Sequence, residues 1–253
     1  MSVTNAELSR YLNDLLSVNE ISDYCPNGLQ VEGASAIQRI VTGVTASQAL
    51  IQAAINANAD AILVHHGYFW KGESSVICGM KKQRIKALLQ NDINLYAYHL
   101  PLDVHPQLGN NRQLGELLNI NDIQPVSAVK PVGVLMEGKF DTPVTHSTLA
   151  QLLSDKLERP VLDEGEAQKS IHTVAWCTGG GQGFIEQAAN AGADAFITGE
   201  VSEQTIHIAR EMGISFFAAG HHATERYGIK ALGEHLASQF ALDVQFIDIP
   251  NPA

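Results

Sequence analysis

Two stretches of this chain carry the same order of apolar and polar positions. Residues 37–66 read IQRIVTGVTASQALIQAAINANADAILVHH, and residues 171–200 read IHTVAWCTGGGQGFIEQAANAGADAFITGE. In each, an apolar run (RIVTGV, TVAWCT) predicts a strand and is followed by a turn and an amphipathic stretch that predicts a helix. Ala-Asp-Ala then leads into a second apolar run (AILV, AFIT) that predicts another strand. Strand–helix–strand units of this kind build parallel or mixed sheets with helices on their faces. The two stretches superpose without a gap and nine of their thirty positions are identical, so the pattern reads as an internal duplication.

The likeness continues downstream with a different offset. INLYAYHLPLD faces ISFFAAGHHATE so that His99 falls on His221 and Asp103 on Glu225, a recurring His-x-x-x-acid pair. Upstream, each copy begins with a helical pattern, AELSRYLNDLL and HSTLAQLLSDKL. PVSAVKP, at 125–131, has two prolines and no periodicity, and is the expected boundary. The expected fold is therefore α/β: two similar domains from an internal duplication, 1–126 and 127–253, with mixed sheets flanked by helices. The turn-rich segment SDYCPNGLQVEG is expected to pack near the first strand.

Composition narrows the function. The chain has 253 residues, is 45% apolar and carries a formal net charge of −11, which disfavours general binding to nucleic-acid backbones or anionic membranes. No segment approaches the roughly 18 apolar residues of a membrane span, and MSVTNAELSRYL lacks the basic-then-apolar order of a signal peptide. Cys25, Cys78 and Cys177 are odd in number and widely spaced, against a disulfide framework or a thiolate zinc site. A reducing cytoplasm is the expected location.

The chemistry-bearing residues cluster where the predicted strands end. His65 and His66 close AILV, at the sheet edge where α/β proteins bind ligands. Adjacent side chains on a strand point to opposite faces, so the two converge only if the chain turns, which Gly67 permits. Asp103 follows NLYAY in a segment that Pro101 marks as loop. His221 and Glu225, spaced i, i+4, are expected on one face of the first turn of HATERYGIKALGEHLASQF. Taken singly, each is as readily a cap or an exposed loop residue. Together, three imidazoles and two carboxylates suit Zn, Mn, Fe, Ni or Co, and five donors suit two ions sharing a bridging carboxylate. Glu200, the repeat counterpart of His66, is a candidate general base or orienting group, and His99 a candidate donor to a ligating carboxylate. CTGGGQGF, with glycines from Gly179 to Gly183, is a tight turn or a phosphate cradle. Lys71, Lys81, Lys82 and Arg84 form either an anion-attracting patch or a solvated helix face. Tyr68 and Trp70 are candidates for stacking on a base or for an oligomer interface.

ISDYCPNGLQVEG, ILVHHGYFWKG, HLPLDVHPQLGNN, WCTGGGQ, FITGEVSEQTIH and GHHATERYGIKAL, in this order over nearly the whole chain, resemble the GTP cyclohydrolase 1 type 2 homolog family. Its members are also called NGG-interacting factor 3-like dinuclear metal proteins. The resemblance implies two similar α/β domains, a dimetal centre in the cleft between them and a ring-shaped homohexamer. The family's ligands fall on His65, His66, Asp103, His221 and Glu225. Members often carry GE-[IV]-S-H-H, whereas this chain has Glu203 and Gln204 in place of the two histidines. The implied activity is hydrolysis of a nucleotide-like or cyclic-amidine small molecule. A metal-handling adaptor without turnover would carry the same ligands.

Overall fold

The computed structural model describes residues 2–253, and these divide into two compact units. The first comprises the residues up to Leu102 together with Ile229–Pro250, and the second Asp103–Gly228 with Asn251–Ala253. This division differs from the expected 1–126 and 127–253, and strand pairing explains why. Asp243–Phe246, near the C-terminus, pairs parallel to Arg39–Thr45 in the first unit's sheet. Asn121–Pro125 pairs antiparallel to Met136–Thr145 in the second. The proline-containing segment 125–131 is thus an internal connection of the second unit, with Val126 and Val129 buried.

The first unit holds a five-stranded mixed sheet in the order Asp243–Phe246, Arg39–Thr45, Ala61–His66, Asn94–Ala97, Gly28–Val31. The first four strands run parallel and Gly28–Val31 runs antiparallel at the edge. The turn-rich segment therefore packs against Asn94–Ala97 rather than beside the first strand. Helix Asn5–Leu15 opens with a capping box in which Thr4 and Glu7 satisfy each other's backbone N–H. Helix Gln48–Asn56 starts at Ser47, whose hydroxyl accepts from the Leu50 N–H. Val41, Leu50, Ile51, Ile62, Val64 and Leu95 form the core of this unit.

The second unit's sheet has six strands in the order Asn121–Pro125, Met136–Thr145, Ser170–Cys177, Ala195–Thr198, Ser215–Ala218, Leu162–Glu164. Its three middle strands, Ser170–Cys177, Ala195–Thr198 and Ser215–Ala218, are parallel, like their counterparts in the first unit. Trp176, Phe196, Phe216 and Phe217 are fully buried on it.

The duplication persists at the level of single hydrogen bonds. Asp60 accepts from the backbone N–H of Gln38 and Arg39, and Asp194 from those of His172 and Thr173, the same positions of the second copy. Each aspartate ties the entry of one strand to its neighbour, which explains why Ala-Asp-Ala recurs. Strand registers also define the downstream correspondence. Asn94 pairs with Ala61, and Ser215 with Ala195, so the strands place Gly220 rather than His221 at the position of His99. Aligning the two His–acid pairs requires one extra residue in the second copy's turn.

Candidate metal centre

In the first unit the C-terminal ends of two parallel strands bring three histidines together. His65 and His66 are the last residues of Ala61–His66, and His99 follows Asn94–Ala97. Although adjacent on one strand, the His65 and His66 rings lie 4.5 Å apart between centroids. His99 stands 5.1 Å from His65 and 5.8 Å from His66. Each of the three offers a ligand atom within 4.8 Å of the others. Gly67 is required by close packing. A Cβ there would lie 2.2 Å from the Gln30 Oε1 and 2.5 Å from the Ala97 Cβ.

In all three rings Nδ1 is engaged. His65 Nδ1 donates to the Tyr98 carbonyl at 2.9 Å, which fixes its tautomer, since a carbonyl only accepts. His66 Nδ1 lies 3.3 Å from the Thr45 hydroxyl. His99 Nδ1 donates to Asp23, at 2.9 and 3.2 Å from its two oxygens. Asp23 also accepts from the backbone N–H of Tyr24 and Leu100 and from the Asn27 amide, and Asn27 in turn accepts from the His99 N–H. Burial pushes the Asp23 carboxyl upward, but the hydrogen bonds from His99 and Asn27, the nearby imidazole and the Tyr24 N–H outweigh it. The net effect brings it down to about 2. His99 is therefore tied to Asp23 and not, as expected, to one of the predicted ligating carboxylates. Asp23 escaped the sequence reading: it lies 76 residues before its partner, in a segment marked only by turn residues.

The second unit gathers Asp103, His221, Glu225 and Glu200. Asp103 ends the short helix Leu100–Asp103, which was expected to be loop. Pro101 is tolerated there because the first turn of a helix has no use for its missing N–H. The carboxylate of Asp103 is 7% exposed and accepts from the Asn110 amide at 2.9 Å. Asn110 itself accepts from the Gly228 N–H, so it is held from both ends. His221–Thr224 and Arg226–Phe240 are separate helices that break at Glu225, instead of the single helix expected. The i, i+4 pair still meets, with His221 Nε2 at 3.3 Å from the Glu225 Oε2. On the other side of the ring His221 Nδ1 donates to Glu200 at 2.7 Å. Burial lowers the His221 imidazole, but hydrogen bonding and charge from Glu225, then from Glu200, reverse this and raise it to about 9. Asp103 and Glu225, the latter 3% exposed, bring carboxylate oxygens within 4.8 Å of each other.

The glycine-rich turn is built around this cluster. Gly179 has φ +63°, and a Cβ there would lie 2.0 Å from the Glu225 Oε1. Its N–H donates to the Thr224 hydroxyl, and that of Gly181 to Thr198. These amides are used internally, as a tight turn uses them. Cys177, buried beside Asp103 and Glu225, has its thiol pushed well up by burial first and then by the two carboxylates.

Of the remaining candidates, Trp70 borders the imidazoles, 5.0 Å from His99 and 6.0 Å from His66. Tyr68 is buried and donates to the Ala46 carbonyl, so it is a core residue. Lys81 pairs with Glu73 at 3.3 Å. Glu203, in place of one of the histidines of the family pattern, opens helix Glu203–Met212.

The structure thus defines two mixed α/β units, the first of which gathers His65, His66 and His99 into a group that could hold a metal ion. The chain belongs to the Duf34/NIF3 (NGG1p interacting factor 3) family, which matches residues 3–252. It is 61% identical over 250 residues to the GTP cyclohydrolase 1 type 2 homolog of Yersinia pestis, covering 98% of this chain and 99% of that relative. Among solved structures it resembles protein ybgI, described as of unknown function, with 57% identity, a TM-score of 0.95 and coverage of 99% and 100%. It also resembles TTHA1606 from Thermus thermophilus, with 34% identity, a TM-score of 0.90 and the same coverage. Among the described residues no helix is long and apolar enough to cross a membrane.

Proposed function

We propose that this protein binds two divalent metal ions through His65, His66, Asp103, His221 and Glu225, and is a metal-dependent hydrolase acting on a nucleotide-like or cyclic-amidine small molecule. The observation that carries the reading is the pair Asp103 and Glu225. Two carboxylates that are 7% and 3% exposed, with oxygens within 4.8 Å, repel each other strongly where water cannot screen them. The Asn110 amide on Asp103 and the His221 imidazolium on Glu225 offset part of that repulsion, and a divalent cation would offset it further. The donors fit the hard-to-borderline ions Zn, Mn, Fe, Ni and Co, since imidazole and carboxylate dominate and the Cys177 thiol beside the two carboxylates is held protonated.

When bound, paired divalent ions acidify water and stabilise developing negative charge. The chain's own contribution is orientation. Glu200 holds His221 Nδ1, as carboxylates behind ligating histidines commonly do, so that Nε2 faces Glu225. Its side chain is 45% exposed, which leaves Glu200 or a ligating carboxylate to take the proton from an attacking water. Three free cysteines support a reducing, cytoplasmic setting. Exposed Val76, Ile77 and Met80, close together in the chain, support self-association, whose form we propose to be a ring-shaped hexamer.

A screen of nucleotides and cyclic amides with Mn, Fe, Zn and Ni tests the activity. Metal-dependent turnover that Asp103→Ala abolishes is expected. Reversible metal uptake without turnover of any of them would overturn the hydrolase and leave a metal-handling protein.

A further inference from the structure

The segment that follows the histidine pair holds backbone strain that metal binding does not account for. Phe69 has φ +66°, a left-handed conformation that bulky side chains adopt at a cost and keep only where their surroundings enforce it. Here the surroundings do. Lys81 reaches back over the Phe69 ring, with Nζ 4.8 Å from its centroid, while donating to the Ser74 carbonyl and pairing with Glu73. Glu73 also accepts from the Trp70 N–H, and the Gln30 side chain holds both the N–H and the carbonyl of Tyr68. What this path delivers is Trp70. Its indole N–H donates to the Gly67 carbonyl three residues earlier, which keeps the ring beside the strand end where His66 and His99 stand.

A second aromatic reaches the same place from a different segment. Tyr24, in the turn-rich stretch, borders both Trp70 and His99. Its carbonyl accepts from the Lys71 N–H at 2.7 Å, so the two segments are stitched together next to the rings they carry. Tyr24 is 52% exposed and Phe69 37%, whereas Tyr68, between them in space and sequence role, is buried as a core residue. Aromatic surface is therefore held at the rim of the imidazole cluster and left open to solvent, with its backbone supports fixed in advance. Such a rim suits a flat ring that carries nitrogen or oxygen atoms: π faces take the ring, and polar groups alongside take its heteroatoms. A sugar or an acyclic acid offers no flat face and would leave this surface unused.

We propose that Tyr24 and Trp70 form a stacking platform for a planar nitrogen heterocycle of the substrate, and that the strained backbone at Phe69 serves to present Trp70. This rests on the reading of the imidazole cluster as part of a substrate-binding metal centre. It narrows the substrate to a molecule with a flat ring, such as a nucleobase, and makes these two aromatics its specificity-determining residues.

The test titrates the full-length protein, metal-loaded and metal-free, with guanosine, adenosine and cytidine, and with ribose 5-phosphate as a ligand that lacks the ring. The chain has two tryptophans, and Trp176 is fully buried in the second unit, so quenching of indole emission by a stacked base reports Trp70. Calorimetry gives the affinities, elemental analysis the metal content, and the unfolding midpoint shows whether each variant folds. At least one nucleoside should bind wild type and quench its emission, whereas ribose 5-phosphate should not quench. Trp70→Ala should weaken that nucleoside by about 5–150-fold, the range measured when a stacking aromatic is removed, and Tyr24→Ala by at least about 5-fold. Trp70→Phe, which keeps a flat ring, should stay within about 5-fold of wild type. All three variants should keep the wild-type metal content. Wild type that binds none of the nucleosides at millimolar concentration, or folded Trp70→Ala that binds them as tightly as wild type, would overturn the proposal while sparing the metal-binding reading. A wild type that takes up no metal would overturn that reading, whatever the nucleosides do.

Discussion

Replacing Gly179 by alanine tests whether the glycine-rich turn exists to accommodate Glu225. Two separate costs are expected. Gly179 has φ +63°, and a side chain in the left-handed region costs about 1–2 kcal/mol. The new Cβ would also stand 2.0 Å from the Glu225 Oε1 and 3.1 Å from His221 Nε2, the former a full ångström inside the 3.0 Å that Cβ contacts essentially never breach. The buried carboxylate must therefore move and surrender its geometry, which adds about 1–3 kcal/mol. The sum is about 2–5 kcal/mol. Two other glycines separate the terms. Gly192 has φ +88° with nothing near its Cβ position, so Gly192→Ala carries the strain alone, about 1–2 kcal/mol. Gly183 has neither problem, and Gly183→Ala should be neutral or stabilising by up to about 1 kcal/mol, through a less flexible unfolded chain. Urea unfolding of the metal-free proteins gives the three differences, and metal content after reloading shows whether Glu225 still serves. The reasoning fails if Gly179→Ala costs no more than Gly192→Ala and retains full metal.

Other expectations follow from the same structure. Asp60→Ala and Asp194→Ala each strand two backbone N–H groups at equivalent points of the duplication, and each should destabilise the protein by about 1–3 kcal/mol in urea unfolding; a near-zero value for either would show that its hydrogen bonds do not matter. Asp23, held down to about 2, contributes stability that is fully present above the unfolded carboxyl value and is lost as pH falls through its folded value. The stability advantage of metal-free wild type over Asp23→Asn should therefore shrink by about 2 kcal/mol between pH 5 and pH 2; an advantage that does not change with pH would show that the carboxylate is not held by those hydrogen bonds. Exposed Cys78 should react readily with a thiol reagent at pH 8, whereas buried Cys177, with its raised thiol, should react only on unfolding; prompt labelling of Cys177 in folded protein would contradict its surroundings.

What the sequence revealed was local, and what it concealed was long-range. The strand–helix–strand units were legible because apolar periodicity and the Ala-Asp-Ala entry are written within thirty consecutive residues, and the structure supplies the reason for the aspartate. Candidate donors were legible because they stand where predicted strands end. Periodicity does not say which sheet a strand joins, and so the return of Asp243–Phe246 to the first unit escaped it. The break at Glu225 escaped it too, because Ala-Thr-Glu-Arg-Tyr has no helix breaker. Asp23, Asn110 and Thr224 act through contacts with residues distant in sequence or through a turn's exact path, and no spacing rule marks them.

The most direct test of the central claim is a count of metal ions per chain by elemental analysis, made on wild type and on His65→Ala, His221→Ala and Glu225→Ala after identical loading. The account predicts two ions in wild type and fewer in each variant. Two ions retained by all three variants would contradict it.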